Sequence, residues 1–172
     1  MNRRFKLMFV ICVVVPLAGC GYRFSQAPSL PEGIKSLHIT VFENQTSEVG
    51  VENALVAEVI DEFTNVRRAE LVSDRQSADA VLTGRITRVE IYTISRIGES
   101  VSDERRIQIT VDAVLSDVNG RTIKQVKGIA DGEAYRVAPD NNPVTEGNKK
   151  EAIEQVADRL AELIYNRLSE DF

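Results

Sequence analysis

Cys20 is the residue whose surroundings most clearly predict a chemical reaction. It ends the sequence Leu-Ala-Gly-Cys, which matches the lipobox at which bacterial lipoprotein precursors are lipidated and cleaved. A basic segment, Met1–Lys6, and an apolar segment, Leu7–Val15, precede it in the order of a signal peptide. We therefore predict a signal peptide over residues 1–19. Diacylglycerol is then expected on the Cys20 sulfur, with an acyl chain such as palmitate on its amino group.

The same motif predicts where the protein is held. Two or more acyl chains give stable membrane anchoring, whereas one chain binds only marginally. Gly21 stands where enterobacterial lipoproteins that stay in the inner membrane carry Asp. We therefore expect a lipid-anchored protein on the periplasmic side of the cell outer membrane. Because Cys12 leaves with the signal peptide, Cys20 is the only remaining cysteine and no internal disulfide is expected.

The sequence has few side chains of the kinds that support catalysis or bind a metal ion. His38 is the only histidine, and without an unmodified cysteine a structural zinc site or a histidine-based triad is excluded. No glycine-rich phosphate loop is present. Glu99, Asp103 and Glu104 cluster with arginines, as expected of a solvated turn. We predict no enzyme, no catalytic residue, no cofactor and no metal site.

The charge balance limits the class of ligand. The chain has a net charge of −5, with 21 Lys and Arg against 26 Asp and Glu. Removing Arg3, Arg4 and Lys6 with the signal peptide leaves 18 basic residues and a net charge of about −8. Nucleic-acid binding depends on neutralising phosphates, so an acidic domain argues against it. Any anionic ligand must be met by a local basic cluster.

The pattern after the tether, residues 20–33, predicts one domain over residues 34–172. A strand begins at Ile34, and a short strand is expected over Ala69–Val72. A shift of apolar face in the strand from Ala80 indicates either a bulge near Thr87–Arg88 or a strand that runs past the layer covering it. Asn119-Gly120 predicts a hairpin turn. Apolar residues alternate, as in a strand, at Ile107, Ile109, Val111, Ala113 and Leu115. They recur with helical spacing at Val51, Leu55, Val59 and Phe63, in a stripe that Val56 and Ile60 widen. A second helical stripe is formed by Ile153, Val156, Leu160, Leu163 and Leu168.

This element order predicts an α+β fold. Strands joined by tight turns pair antiparallel, while the first strand–helix–strand crossover favours a parallel pair. The economical arrangement is a two-layer sandwich, with two helices on one face of a mixed, mostly antiparallel sheet of about four strands. The other face of the sheet is polar and free to meet a ligand or a partner.

Four segments together resemble the lipopolysaccharide (LPS)-assembly lipoprotein family, LptE, over nearly the whole mature chain. They are Cys20-Gly21-Tyr22-Arg23-Phe24, the strand Ile34–Phe42 with Glu43-Asn44-Gln45-Thr46, Ser77-Ala78-Asp79-Ala80-Val81-Leu82-Thr83-Gly84, and the strand Arg105–Asp117. The resemblance implies a two-layer domain and a tight complex with the β-barrel LPS-assembly protein LptD. In that complex the lipoprotein plugs the barrel, assists its assembly and binds LPS.

The resemblance also implies a basic site for an anionic glycolipid. The hairpin Ser95–Arg106 carries Arg96, where the family's hairpin has a basic residue near the turn. We therefore nominate Arg96 first. The other predicted LPS-binding residues are Arg106, Arg105, Arg88 and Lys124, with Arg85, Arg121 and Lys127 as possible extensions.

Two other functions compete with this interpretation. The first is a different outer-membrane assembly or secretion lipoprotein with a similar domain, which would lack the barrel protein as its obligate partner. The second is a carboxylate-dependent hydrolase of envelope polymers. A hydrolase would need two facing acids about 5–10 Å apart in a concave pocket, and the sequence offers no such pair on neighbouring in-phase positions.

Overall fold

Six strands and two long helices make up the computed structural model, which describes residues 30–31, 33–66, 69–95 and 103–170. A 3₁₀ turn at Arg75–Ser77 precedes the longest strands. The elements, in chain order, are β1 (Ser36–Ile39), β2 (Glu43–Asn44), α1 (Val51–Val66), β3 (Glu70–Leu71), β4 (Ala80–Ser95), β5 (Asp103–Asp117), β6 (Thr122–Val137) and α2 (Asn142–Ser169).

The sheet has the order β3-β1-β4-β5-β6, with β2 also paired to β4. The predicted α+β class and mixed sheet are confirmed. The prediction of about four mostly antiparallel strands is wrong, because there are six strands and three of their five pairings are parallel. The crossovers after β1 account for the parallel pairs. The short strand expected over Ala69–Val72 is present as β3, whereas β2 has two residues, too few to produce an alternating pattern.

Both helices pack against one face of the sheet. Val51, Leu55, Val59 and Phe63 are the buried residues of α1, as predicted from their spacing, but Ile60 is 42% exposed. The four buried residues of α1 join one core cluster with the inward side chains of β4 and β5 and with the buried side chains of α2. The aligned buried face of β5 (Ile107, Ile109, Val111, Ala113, Leu115) is confirmed.

A long hairpin, β4–β5, carries most of the sheet. The register shifts between Ile86 and Arg88, which confirms the predicted bulge. The extra residue resets the alternation, so that Val89, opposite Ile109, returns to the helix side. The Asn119-Gly120 turn then leads directly into β6, as predicted, with the Gly120 N–H donating to the Asp117 carbonyl.

The start of the sheet is tied together around Gly84. The ring of Phe42, which is 1% exposed, occupies the place where a side chain at position 84 would stand. A Cβ there would lie 2.3 Å from the ring. Leu30, N-terminal to β1, is also buried in the core cluster. The core therefore extends to the first described residue.

Candidate functional site

The face of the sheet that points away from the helices, called here the outer face, is open. On β5 it presents Arg106, Gln108, Thr110, Asp112 and Val114, which alternate with the buried residues of the same strand. None of these five side chains is fully buried. The polar face predicted from the sequence is therefore exposed in the part of the chain that the structure describes.

Arg106 lies flat across this outer face. It stands opposite Tyr92 on β4 and Ala134 on β6, and its Nη2 donates to the Gly132 carbonyl at 2.7 Å. A Cβ at Gly132 would come within 3.1 Å of the Arg106 Nε, so the missing side chain makes room for the guanidinium. The bond to the Gly132 carbonyl is the only hydrogen bond of the guanidinium among the described residues. The remaining donors of the guanidinium are open to a ligand.

Arg88 is the second cation on the outer face. It lies opposite Thr110 on β5 and four residues before Tyr92, so its Cα is about 13 Å along the strand from the Tyr92–Arg106 pair. Its only ion pair in the described residues is with Glu90, at 3.7 Å between side chains that are 66% and 53% exposed. Such an exposed pair is weak. Arg88 can therefore exchange it for a stronger anionic partner.

Arg85 borders a depression further along the same face. A cavity of about 340 Å³ is lined by Arg85, Asp112 and Thr83 of the hairpin and by Thr40 and Val41 from the segment after β1. Asp112 has a structural role, because its Oδ1 accepts a hydrogen bond from the Gly128 N–H at 2.8 Å where β6 bulges. Arg85 thus extends the line of cations on the outer face.

Exposed apolar side chains lie at the end of the hairpin. Ile91 is 40% exposed, and Tyr92 and Ile94 are each 44% exposed. Tyr92 lies opposite Arg106 on the outer face, whereas Ile91, opposite the buried Ile107, points to the helix side. The hairpin end therefore combines guanidinium groups with apolar surface, the chemistry that an anionic amphiphile requires.

The other predicted cations lie elsewhere or outside the description. Arg105 faces the helix side, opposite Thr93 and the buried Tyr135. Lys124 pairs with the inward-facing Leu115, and its Nζ donates to the Glu170 carbonyl beyond α2. Arg96 and Cys20 lie outside the described residues. The structure therefore brings Arg88 and Arg106 onto one face, and Arg105 and Lys124 onto the other.

Asn44, in the Glu-Asn-Gln-Thr segment, has a structural role that the sequence analysis did not predict. Its Nδ2 donates to the Glu48 carbonyl and to Glu52 Oε2, at 2.7 Å each. Its Oδ1 accepts the backbone N–H of Thr46 at 2.9 Å and the Thr46 hydroxyl at 2.8 Å. One side chain therefore ties β2 to the first turn of α1. The only sequence signal was the resemblance of this segment to the family.

Asp79, in the Ser-Ala-Asp-Ala segment, has a similar structural role. Its Oδ2 accepts the backbone N–H groups of Lys35 and Ser36, at 2.9 Å each, and the Ser36 hydroxyl at 3.0 Å. These bonds, first that from the Lys35 N–H, lower the pKa of Asp79. They fix the beginning of β1 beside the beginning of β4. This family motif therefore helps to build the sheet.

Catalytic and metal roles gain no support from the described residues. His38 lies with its Nδ1 3.0 Å from the Val72 carbonyl, a contact that orients a side chain at the sheet edge. Across the described ranges, no group of three or more His, Cys, Asp and Glu side chains is placed to hold a metal ion. Within the same ranges neither helix is long and apolar enough to cross a membrane.

Comparisons with known proteins agree with this architecture. A search of curated proteins finds no match to the sequence. Among solved structures, a protein of Caulobacter crescentus CB15 assigned as a lipoprotein is similar, with a TM-score of 0.53 and 16% identity over 75% of this chain and 88% of that one. A minor lipoprotein of Acinetobacter baumannii is similar with a TM-score of 0.51 and 15% identity, over 78% and 90% of the two chains. At these identities the likeness establishes the fold alone.

The family comparison is more specific. The sequence profile of the family described as "LptE: Lipopolysaccharide-assembly" matches residues 34–168. The match covers every strand and all but the last residue of α2, which includes the outer face and both structural motifs at Asn44 and Asp79. The chain therefore belongs to the LptE family of lipopolysaccharide-assembly proteins.

Proposed function

We propose that this protein is an outer-membrane lipoprotein that assembles LPS at the cell surface together with the β-barrel protein LptD. Membership of the LptE family supports the process. The observation that carries the site is the placement of Arg106 opposite the exposed Tyr92 on the outer face, with Arg88 about 13 Å further along the same face. In this proposal the protein acts as barrel plug, assembly factor and LPS-binding subunit, without catalysis.

The chemistry of this surface suits LPS. Its lipid A part carries phosphates and acyl chains, so it needs cations and apolar surface side by side. A guanidinium engages two phosphate oxygens at once through its planar fork. Arg106 is already oriented by its bond to the Gly132 carbonyl, which reduces the entropy lost on binding. The half-exposed ring of Tyr92, opposite Arg106 on β4, supplies apolar surface next to it.

Charge reversal on the outer face tests the binding site. We expect Arg88→Asp/Arg106→Asp to weaken LPS binding by about tenfold or more, equivalent to about 1.4 kcal/mol. The difference from the unmodified chain should shrink as salt rises, because exposed charges are screened. The melting temperature should hardly change, since both residues are exposed. The measurement is LPS binding to the purified chain at low and moderate salt.

A matched control separates this site from general electrostatics. Arg75→Asp/Arg167→Asp makes the same change in charge at two exposed positions away from the hairpin end. LPS binding by this variant should stay within about twofold of the unmodified chain. If both double variants lost LPS affinity equally, or if Arg88→Asp/Arg106→Asp bound LPS like the unmodified chain, Arg88 and Arg106 would not belong to the site. Arg96 would then be the next candidate.

Cys20 supplies the proposed anchor. Mass spectrometry of the protein purified from membranes should show an N-terminal peptide that begins at a lipid-modified Cys20, because lipid attachment normally precedes cleavage in this pathway. Cys20→Ala should consequently accumulate as an uncleaved precursor. If the main species were instead an unmodified peptide spanning Leu17–Tyr22, this mode of anchoring would be wrong.

The partner separates this proposal from its nearest alternative, another outer-membrane assembly or secretion lipoprotein of the same fold. Solubilised membranes should yield a complex in which the tagged chain carries the LptD barrel protein in stoichiometric amount. A stable complex with some other envelope protein, and no barrel, would favour the alternative. The measurement is mass spectrometry of the material that copurifies.

A further inference from the structure

A groove of about 600 Å³ lies between the first halves of α1 and α2. Val49, Ala54 and Ile153 give it apolar walls, and Glu58 and Glu154 place carboxylates beside them. Val49 is 87% exposed, more than any other large apolar side chain among the described residues. The interhelical groove therefore offers water-exposed apolar surface next to negative charge, on the layer opposite the outer face.

The two helices that form the groove run side by side in the same direction. Glu48, just before α1, pairs with Lys149 near the start of α2 at 2.9 Å. Phe63 and Tyr165, near the ends of the helices, make an edge-to-face contact with centroids 5.3 Å apart. Parallel alignment brings Glu58 and Glu62 of α1 close to acidic residues of α2, among them Asp158 and Glu162, along the seam between the two helices.

The carboxylates of this seam repel one another. Burial, followed by the negative charges of Asp158, Asp61 and Glu154, raises the pKa of Glu58. Glu62 has a raised pKa for the same reason, with burial first and Glu162 next. Within the described part of the chain, neither Glu58 nor Glu62 forms an ion pair. The seam thus holds negative charge that the described residues do not neutralise.

The cations at the mouth of the groove are already engaged. Lys149 is held between Glu48 and Glu146, with Nζ–O distances of 2.9 Å to each. Lys150 lies 3.7 Å from Glu154. The six charged side chains that line the groove comprise four acids and two lysines. A net negative, partly apolar surface therefore remains.

We propose that the interhelical groove binds a cationic amphipathic segment of a partner protein. Lysine or arginine side chains would pair with Glu58 and Glu154, and leucine-like side chains would cover Val49, Ala54 and Ile153, as when a helix docks into a groove. Anionic lipid is repelled by the same carboxylates, and a second copy docked groove to groove would oppose acid to acid. The inference goes beyond the proposed LPS site, since it concerns the other layer of the fold.

The test uses the full chain in detergent and a fluorescent synthetic helical peptide of leucine and lysine as the probe. Fluorescence anisotropy should give a Kd that rises about tenfold in Glu58→Gln/Glu154→Gln, because two charge pairs and their steering are lost. The melting temperature should stay equal or rise, since like-charge repulsion is relieved. Ala57→Arg, at an exposed groove position, should weaken binding as well.

Glu70→Gln/Glu151→Gln is the matched control, because it removes two exposed carboxylates that lie outside the groove. Its Kd should stay within about twofold of the unmodified chain. Equal losses in the two double variants would overturn the proposal, as would unchanged binding in the groove variants. Two other results would also overturn it: stronger binding to phosphatidylglycerol vesicles than to the peptide, or self-association that the groove variant abolishes while the peptide does not bind.

Discussion

Val111→Asp should lower the free energy of unfolding by several kcal/mol, more than any other variant proposed for this chain. Val111 is fully buried in the middle of β5, opposite Ile86 on β4 and Ile129 on β6. A carboxylate there has no partner and must either lose its hydration or take up a proton. Domains of this size are stable by about 5–15 kcal/mol. Much of that margin would disappear, which thermal and urea unfolding would measure.

The neighbouring position provides the control. Thr110 is adjacent in sequence but lies half-exposed on the outer face, so Thr110→Asp should cost less than about 1 kcal/mol. Equal destabilisation by the two variants would show that the assignment of faces is wrong. Asp112 is a poorer control, because its bond to the Gly128 N–H contributes about 1 kcal/mol that Asp112→Ala would lose.

The sequence was most informative where one periodicity ran unbroken. Strand β5 alternates without a slip from Ile107 to Leu115, because one of its faces is buried over that length. The bulge near Thr87 was also visible, since it displaced an apolar face that resumed afterwards. By contrast, β2 and β3 contribute two residues each. Their pairing depends on crossovers that leave no local pattern.

The candidate site was harder to predict for a related reason. Strand β6 shifts register against β5 twice, once near Asp112 and once next to Ser116. Each shift breaks the alternation, so the face on which Lys124 lies does not follow from its distance along the strand. Arg88 and Arg106 share a face because of the single shift at Thr87. The grouping of cations therefore depends on bulges, and the sequence marked only one of them.

The interhelical groove had no counterpart in the sequence interpretation. A helical pattern does not reveal the direction of a neighbouring helix, so the sequence gives no sign that acidic residues of α1 and α2 lie side by side. Only the parallel alignment, fixed by the Glu48–Lys149 and Phe63–Tyr165 contacts, sets Glu58 beside Asp158. The concentration of negative charge along this seam therefore depends on how the two helices pack, which the sequence of either helix does not show.

Asn44→Ala is expected to have the second-largest effect, a loss of about 2–4 kcal/mol in the free energy of unfolding. Four hydrogen bonds to Asn44 are lost, each worth about 0.5–1.5 kcal/mol net. The variant also removes a donor from Glu52, whose pKa is lowered first by its own backbone N–H and next by the Asn44 amide. The pKa of Glu52 should therefore rise in the variant, which NMR titration would detect.

Two further variants identify the cause of that loss. Asn44→Asp keeps acceptor oxygens for Thr46 but replaces the donor amide with a carboxylate that faces Glu52, at a site where the amide now lies 2.7 Å from Oε2. It should be at least as destabilising as Asn44→Ala at neutral pH, and should recover part of its stability when mild acid protonates either carboxylate. Gln45→Ala, at the exposed neighbouring position, should change unfolding by less than about 0.5 kcal/mol. If Asn44→Ala unfolded like Gln45→Ala, the junction of β2 and α1 would depend on packing alone, and the Glu-Asn-Gln-Thr segment would need another explanation.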